Sequence, residues 1–340
     1  MKAFQLVRYG NAAQAFELKD LPTPKVGDDD VLIEVEGFGL NYADVLARLG
    51  QYREAPPLPT VIGYEVVGRV SQVGKNTDQQ WLNKRVVGFT RFNAYSTQVV
   101  TSSQGIAVLP DDYELVKGLA VGTQYVTAYY ASFIKVQIVP GDIAVIHAAA
   151  GGVGSALIQL CKLQGAVVVA LAGSEDKLAL AKKNGADHVI NYVTHDYEEE
   201  IVKLFGEKKV DVTFNSTAGT SFKKDFRLLN FAGSMVMYGA SSRSGKKWGL
   251  LSTLNMLRQM GLFIPIALLM TSKSLIGLNM LKVADYKPAL IKQCLDAISD
   301  LIKENKIDPI VGGLYSSDQL AEAHEQLENR KSVGKIGVKW

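Results

Sequence analysis

The chain has 340 residues, enough for about two domains that each bury a core. Apolar residues make up 47% and charged residues 21%, and a formal net charge of +3 is too small to argue for nucleic acid or an anionic membrane as a partner. Its two cysteines, Cys161 and Cys294, exclude a disulfide framework; both fall in apolar helical patterns and read as buried thiols of a cytoplasmic protein.

From the N-terminus, Met1-Lys-Ala-Phe-Gln-Leu-Val-Arg8 holds no apolar run of signal-peptide length. Residues 1–120 read as β-rich: Val31–Gly39 partly alternates, Val61–Val70 is β-branched with glycines, and Arg85–Phe89 is a short strand. Pro22, Pro24, Pro56, Pro57 and Pro59 punctuate the loops. Near residue 120 the texture changes to strands alternating with helices. An apolar run ending at Ile146 passes through His147-Ala-Ala-Ala-Gly151-Gly-Val-Gly154 into a helical pattern. Strands at Val167–Leu171, His188–Asn191, Asp211–Phe214, Ser234–Tyr238 and Ser274–Leu278 follow, with helices at Glu175–Asn184 and Tyr197–Phe205. Six strands with helical crossovers predict a doubly wound parallel sheet, an α/β fold with ligands at the carboxyl ends of the strands. Gly261–Met270 is apolar but about half the length of a spanning helix, so we expect no integral membrane span and either a buried helix or pocket wall or, as the alternative, an exposed apolar face that meets a partner or a bilayer surface. An amphipathic helix at Ala289–Glu304 and a helix at Leu320–Glu328 close the chain, which returns to the first domain.

The strand–glycine turn–helix order at residues 142–161 is what a dinucleotide pyrophosphate requires: side chains vanish where the backbone meets phosphate, and a helix N-terminus offers N–H groups. Against G-x-G-x-x-G the three positions are Ala149, Gly151 and Gly154, so the first glycine is an alanine. The turn residues Ala150, Gly151, Gly152 and Val153 are the expected phosphate contacts. An NAD site carries an acidic residue at the end of the second strand. Here the strand ends in Ala172-Gly173-Ser174, small and neutral, with Glu175, Asp176 and Lys177 next. A 2′-phosphate fits there, with Ser174 and Lys177 as donors beside Gly173 and Tyr192 covering the region, so NADPH is favoured over NADH. Two alternatives stand beside this: Lys177 balancing Glu175 and Asp176 on a solvated helix start, and Glu175 rotating onto a ribose hydroxyl.

Several phrases resemble one family. His147-Ala-Ala-Ala-Gly-Gly-Val-Gly154 resembles the nucleotide loop of the medium-chain dehydrogenase/reductase superfamily, in its zinc-independent quinone oxidoreductase branch. Gly39-Leu-Asn41-Tyr-Ala-Asp44 with Gly50-Gln-Tyr52, Gly63-Tyr64-Glu65-Val-Val-Gly68, Gly185–Tyr192 and Gly334-Lys335-Ile336 agree. The Met- and Leu-rich segment 250–283 is similar to the vesicle amine transport protein group within that branch. The resemblance implies a GroES-like β domain from residues 1–120 and 288–340, a Rossmann NADP(H) domain at 121–287, and a homodimer. Asn83-Lys84 before Arg85, and Asn215 where many relatives carry Asp, depart from the family pattern.

The resemblance also locates the metal question. The family's catalytic cysteine position falls within Gly39-Leu-Asn41 and its Gly-His-Glu motif is Gly63-Tyr64-Glu65, while His147, His188, His195 and His324 are scattered. Zinc needs several thiolate or imidazole ligands converging on one point, so no zinc and no alcohol oxidation are expected. What remains is hydride donation to a small electrophilic acceptor, a quinone or an α,β-unsaturated carbonyl. By resemblance, Asn41, Tyr42 and Tyr52 line the cleft beside the nicotinamide. Asn41 and Tyr52 are the candidates for hydrogen-bonding the substrate oxygen, and Asn41 also for touching the cofactor. Equally, Asn41 suits a helix cap and Tyr52 a packed loop aromatic. Thr127 matches the family threonine that touches nicotinamide. Asn215 and Ser216 with Tyr238 and Gly239 end two strands on the ligand edge, and Lys335 or Arg330 would close on the cofactor. Two further functions compete: an enoyl-thioester reductase, for which Lys246 and Lys247 alone do not make a basic channel, and a nucleotide-binding protein with a membrane-associated or transport role.

Overall fold

The computed structural model describes residues 1–241, 249–261 and 265–340, with side chains described except at 249–253. The chain forms two compact units: Met1–Val126 with Leu281–Trp340, and Thr127–Met280.

The first unit is β-rich. Its strands are β1 (Lys2–Leu6), β2 (Phe16–Asp20), β3 (Asp30–Leu40), β4 (Thr60–Val61), β5 (Glu65–Val73), β6 (Arg85–Phe89), β7 (Gln98–Ser102) and β8 (Ile106–Val108). Val31, Ile33, Val35, Phe38, Val66, Val70, Val86 and Val99 pack into one core, the inward set of strands that alternate about a pleat. The second unit begins its sheet with β9 (Ile143–Ile146), β10 (Val167–Ala172), β11 (His188–Asn191), β12 (Val210–Asn215), β13 (Leu229–Met237) and β14 (Ser274–Gly277). The chain then returns to the first unit for β15 (Val311–Ser316) and β16 (Lys335–Lys339). There β16 pairs antiparallel with β3, setting Ile336 opposite Leu40.

The second unit's sheet runs β11-β10-β9-β12-β13-β14 with every neighbour parallel. β9 is central because its residues are apolar on both faces: Ala144, Val145 and Ile146 are fully buried. The reversal of strand order on either side of β9 is the switch point where open α/β sheets bind ligands, outside the carboxyl ends.

Cys161 and Cys294 are free and buried. The apolar stretch near residue 265 shows the exposed face of the two readings rather than the buried one. In the helix Ile266–Thr271, Leu269 and Met270 are 76% and 77% exposed, with no element covering them among the described residues. Residues 262–264, also part of that expectation, lie outside the described residues. Among the described residues, no helix is long and apolar enough to cross a membrane.

Candidate functional site

At the carboxyl end of β9 the backbone tightens. Ala148 takes a left-handed φ of +49°, and the Gly151 N–H donates back to the Ala148 carbonyl at 2.8 Å. Gly151 caps the helix Gly152–Leu163, whose first N–H groups have no carbonyl four residues back and sit at the positive end of the dipole. A Cβ on Gly154 would lie 2.3 Å from the Ala148 carbonyl oxygen and 2.8 Å from Ala149 Cα, so glycine alone lets the helix pack this close. Ala149 is fully buried and its N–H donates to the Leu171 carbonyl at 3.0 Å. Its methyl therefore fills the interior, which is why alanine serves at the motif's first position.

The neighbouring strand ends complete this edge. β10 runs into Gly173 and the exposed Ser174, and a Cβ on Gly173 would meet the Tyr192 hydroxyl at 2.9 Å. Lys177, half-buried, sits in the first turns of the helix Glu175–Lys183. Glu175 accepts from Asn191 Nδ2 at 2.8 Å through Oε1, which ties one oxygen of this exposed carboxylate to the end of β11. Past β12, the Asn215 side chain is buried and accepts the N–H groups of Thr217 and Ala218, each at 2.8 Å. The Ser216 carbonyl accepts from Ser241 at 3.0 Å, and Gly239 packs against it, next to the half-buried Tyr238. Ala150, Gly151, Gly152, Val153, Gly173, Ser174, Lys177, Tyr192, Asn215, Ser216, Tyr238 and Gly239 thus share one edge of one sheet. Thr127 lies buried on the helix Val126–Tyr129.

Beneath this edge is a network that no sequence signal announced. His147 Nε2 lies 2.9 Å from Asp225 Oδ2, Tyr197 donates to Asp225 Oδ1 at 2.8 Å, and Asn215 Nδ2 donates to Asp225 Oδ2 at 2.6 Å. Asp225 is fully buried, yet in the sequence it stands in Lys223-Lys-Asp-Phe-Arg227, which reads as a solvated charge run. The network ties the residue before the glycine turn to the turn after β12.

In the first unit, Asn41 occupies the N-cap position of the helix Tyr42–Arg48, and its N–H donates to Asp44 Oδ2 at 2.7 Å. Its side-chain nitrogen points elsewhere; Nδ2 donates to Glu65 Oε1 at 2.8 Å. Lys335 donates to the same Glu65 oxygen, to the Leu40 carbonyl at 3.2 Å and to Asn41 Oδ1 at 3.3 Å. Glu65, Lys335 and Asp44 are all 0% exposed. Lys335, expected to reach the cofactor, therefore spends its ammonium inside the first unit. Burial pushes the Asp44 carboxyl up to about 8, against the opposing pull of the Asn41 N–H and Lys335.

Tyr52 and Tyr64 meet edge to face with ring centroids 6.2 Å apart, and Phe92 packs on Tyr64 at 5.3 Å. Burial, followed by the charges of Glu54 and Asp44, pushes the Tyr52 phenol up to about 12, so it stays a neutral hydrogen-bond donor at neutral pH. Tyr42 is half-buried beside Asn41. Lys246 and Lys247 lie outside the described residues.

Comparison with known proteins also finds two domains. Residues 27–138 match the alcohol dehydrogenase GroES-like domain and residues 152–295 match the zinc-binding dehydrogenase domain. The Synaptic vesicle membrane protein VAT-1 homolog of Rattus norvegicus is 30% identical over 92% of this chain and 77% of its own length. The chain spans 64% of the protein of that name from Danio rerio, under two thirds of its length. The Quinone oxidoreductase of Homo sapiens is 26% identical over 96% of this chain and 94% of its own. The structure of Escherichia coli quinone oxidoreductase complexed with NADPH superposes with a TM-score of 0.86 at 25% identity, covering 100% of both chains.

A metal implied by the second domain's description does not fit the residues present. Among the described residues no three His, Cys, Asp or Glu side chains converge to hold an ion. Asn41 and Tyr64 supply neither thiolate nor imidazole, and Glu65 is taken by Lys335. A dinucleotide fits: the glycine turn is shaped as a cradle that a Cβ at Gly154 would break.

Proposed function

The chain belongs to the quinone oxidoreductase branch of the medium-chain dehydrogenase/reductase family, close to the VAT-1 group, and on that footing we propose that it is an NADPH-dependent reductase of quinones or α,β-unsaturated carbonyls. The observation that carries this reading is the carboxyl edge of the parallel sheet. It offers helix N–H groups at the glycine turn and a neutral strand end flanked by Ser174, Lys177 and Tyr192, with the nearest acid, Glu175, engaged by Asn191. That edge suits a pyrophosphate and a 2′-phosphate better than a bare ribose.

When bound, NADPH supplies the hydride. In this reading, residues 150–153 bind the pyrophosphate, Thr127, Asn215, Ser216, Tyr238 and Gly239 orient the ribose and nicotinamide, and Asn41 and Tyr52 hydrogen-bond the acceptor oxygen. A neutral Tyr52 and the Asn41 amide stabilise negative charge on that oxygen without an ionised acid, and solvent completes the protonation. The aromatic faces of Tyr52, Tyr64 and Phe92 suit a flat conjugated acceptor.

We also propose a homodimer and a cytoplasmic location. β14 has no strand on its outer side among the described residues, and Leu254, Leu257, Ile266, Leu269 and Met270 are exposed in the same unit. The two unpaired buried thiols suit a reducing compartment.

The test is NADPH oxidation across a panel of quinones, alkenals and enoyl thioesters, with nucleotide affinity measured in parallel. Turnover with quinones or alkenals supports the reading. NADPH binding with no turnover on any acceptor overturns it in favour of a non-catalytic nucleotide-binding protein.

A further inference from the structure

The Asn41 side chain is gripped at both ends by opposite charges. A carboxylate only accepts hydrogen bonds and an ammonium only donates them, so Glu65 on Nδ2 and Lys335 on Oδ1 permit one orientation of the amide and forbid the flipped one. Room for this arrangement is made by Gly39 on β3: a Cβ there would lie 2.4 Å from Glu65 Oε1, 2.5 Å from Lys335 Cε and 2.6 Å from Nζ. The Asn41 backbone is held as well, through its N–H to Asp44.

We propose that the buried Glu65–Lys335 pair is a polarity lock: the two are positioning residues that fix Asn41 as a hydrogen-bond donor, and the group it serves is a ligand carbonyl oxygen. Each amide nitrogen carries two N–H groups, and Glu65 takes one. The second N–H of Nδ2 is the group left to a ligand, and a carbonyl accepting it is polarised toward negative charge. Lys335 on Oδ1 draws electron density through the amide and strengthens that donor, as members of a hydrogen-bond chain polarise one another. A carbonyl oxygen is common to the acceptor and to the carboxamide of a nicotinamide, and the test separates the two. The proposal rests on the reductase reading only for the identity of these ligands; the lock itself is a property of the first unit.

The experiment uses the full chain with 15N-labelled asparagine, and Asn41→Ser to assign the Asn41 side-chain resonances. The lock predicts that one of the two Nδ2 protons is displaced downfield by the carboxylate, beyond the ordinary difference between the two protons of a primary amide. In the double variant Glu65→Gln with Lys335→Met, which removes both charges together and strands neither, the displacement disappears while the melting temperature holds or rises. A second variant, Gly39→Ala, wedges the pair apart with both charges in place and is expected to shift the same resonances. Adding 1,4-benzoquinone alone or NADP⁺ alone then shows which carbonyl moves the remaining N–H resonance. In turnover, the double variant should lose at least about tenfold in kcat with KM nearly unchanged, the pattern of a donor used in the transition state. Unaltered Asn41 resonances in the double variant overturn the lock. A wild-type protein that reduces no acceptor overturns the reductase reading instead, and the resonances still decide the lock.

Discussion

The edge of the parallel sheet and the cluster around Glu65 are built by opposite means. At the edge, binding capacity comes from taking side chains away: Gly151 and Gly152 leave backbone N–H groups uncovered, Gly154 lets the helix pack on Ala148, and Gly173 lets Tyr192 approach. Around Glu65, it comes from burying charge, with a carboxylate, an ammonium and a second carboxyl all fully enclosed. The first kind of site is steric and costs little to keep; the second is electrostatic and stands only while every partner is present. Failure should therefore look different in each. Damage to the edge changes affinity for a nucleotide, whereas damage to the cluster changes the stability of the fold.

The sharpest way to break that contrast is to remove one charge. Lys335→Met leaves Glu65 buried and unpaired and should cost about 3–5 kcal/mol of stability, read by denaturant unfolding, because a lone buried charge is far worse than none. A cost under about 1 kcal/mol would mean that water reaches the pair. Next is Gly154→Val, whose branched side chain collides with the Ala148 carbonyl; NADPH affinity should fall at least about tenfold by fluorescence titration, with the first unit's stability unaltered. Smaller again is Lys177→Ala. Loss of a charge-assisted hydrogen bond to a phosphate amounts to about 1.5–3 kcal/mol, so NADPH should weaken about tenfold or more while NADH barely changes. Equal losses for the two nucleotides would refute the phosphate assignment.

The remaining predictions concern pH and again separate charge from shape. Burial, with the Arg48 charge second, holds His324 down to about 3 against 6.5 in the open chain. The unfolded chain therefore binds a proton that the native state refuses, and stability is lost as pH falls from 6.5 toward 3. Asp44 acts on the other side. Its carboxyl is raised from 3.8 to about 8, so the native state keeps a proton that the unfolded chain gives up, and stability is lost as pH rises from about 4 through 8. Melting temperatures across this range should show His324→Gln flattening the acid limb and Asp44→Asn the alkaline one.

The same contrast explains what the sequence made legible. The six strands of the second unit, the glycine turn and the strand end at Gly173 were visible because each is a local pattern: a β-branched run, a loss of side chains, a helix start. Asn41, Tyr42 and Tyr52 came from resemblance, which names positions and not contacts. The partners of Asn41 were illegible, since Glu65 and Lys335 are brought together from positions 24 and 294 residues away. Asp225 was hidden by charged neighbours, and an apolar run of this length reads equally as a buried or an exposed helix, so composition did not decide the helix near residue 269. Tertiary assembly decides these, and no window of sequence contains it.

The position of Lys335 on β16 has a consequence for how the protein is made. Asn41 and Glu65 leave the ribosome early, but the strand that completes their cluster is translated only after the whole second unit. Until β16 docks beside β3, Glu65 has no counter-charge and Asn41 Oδ1 lacks its ammonium partner. The polar cluster is thus finished late in synthesis, and a nascent chain holding every residue of the glycine turn still lacks it.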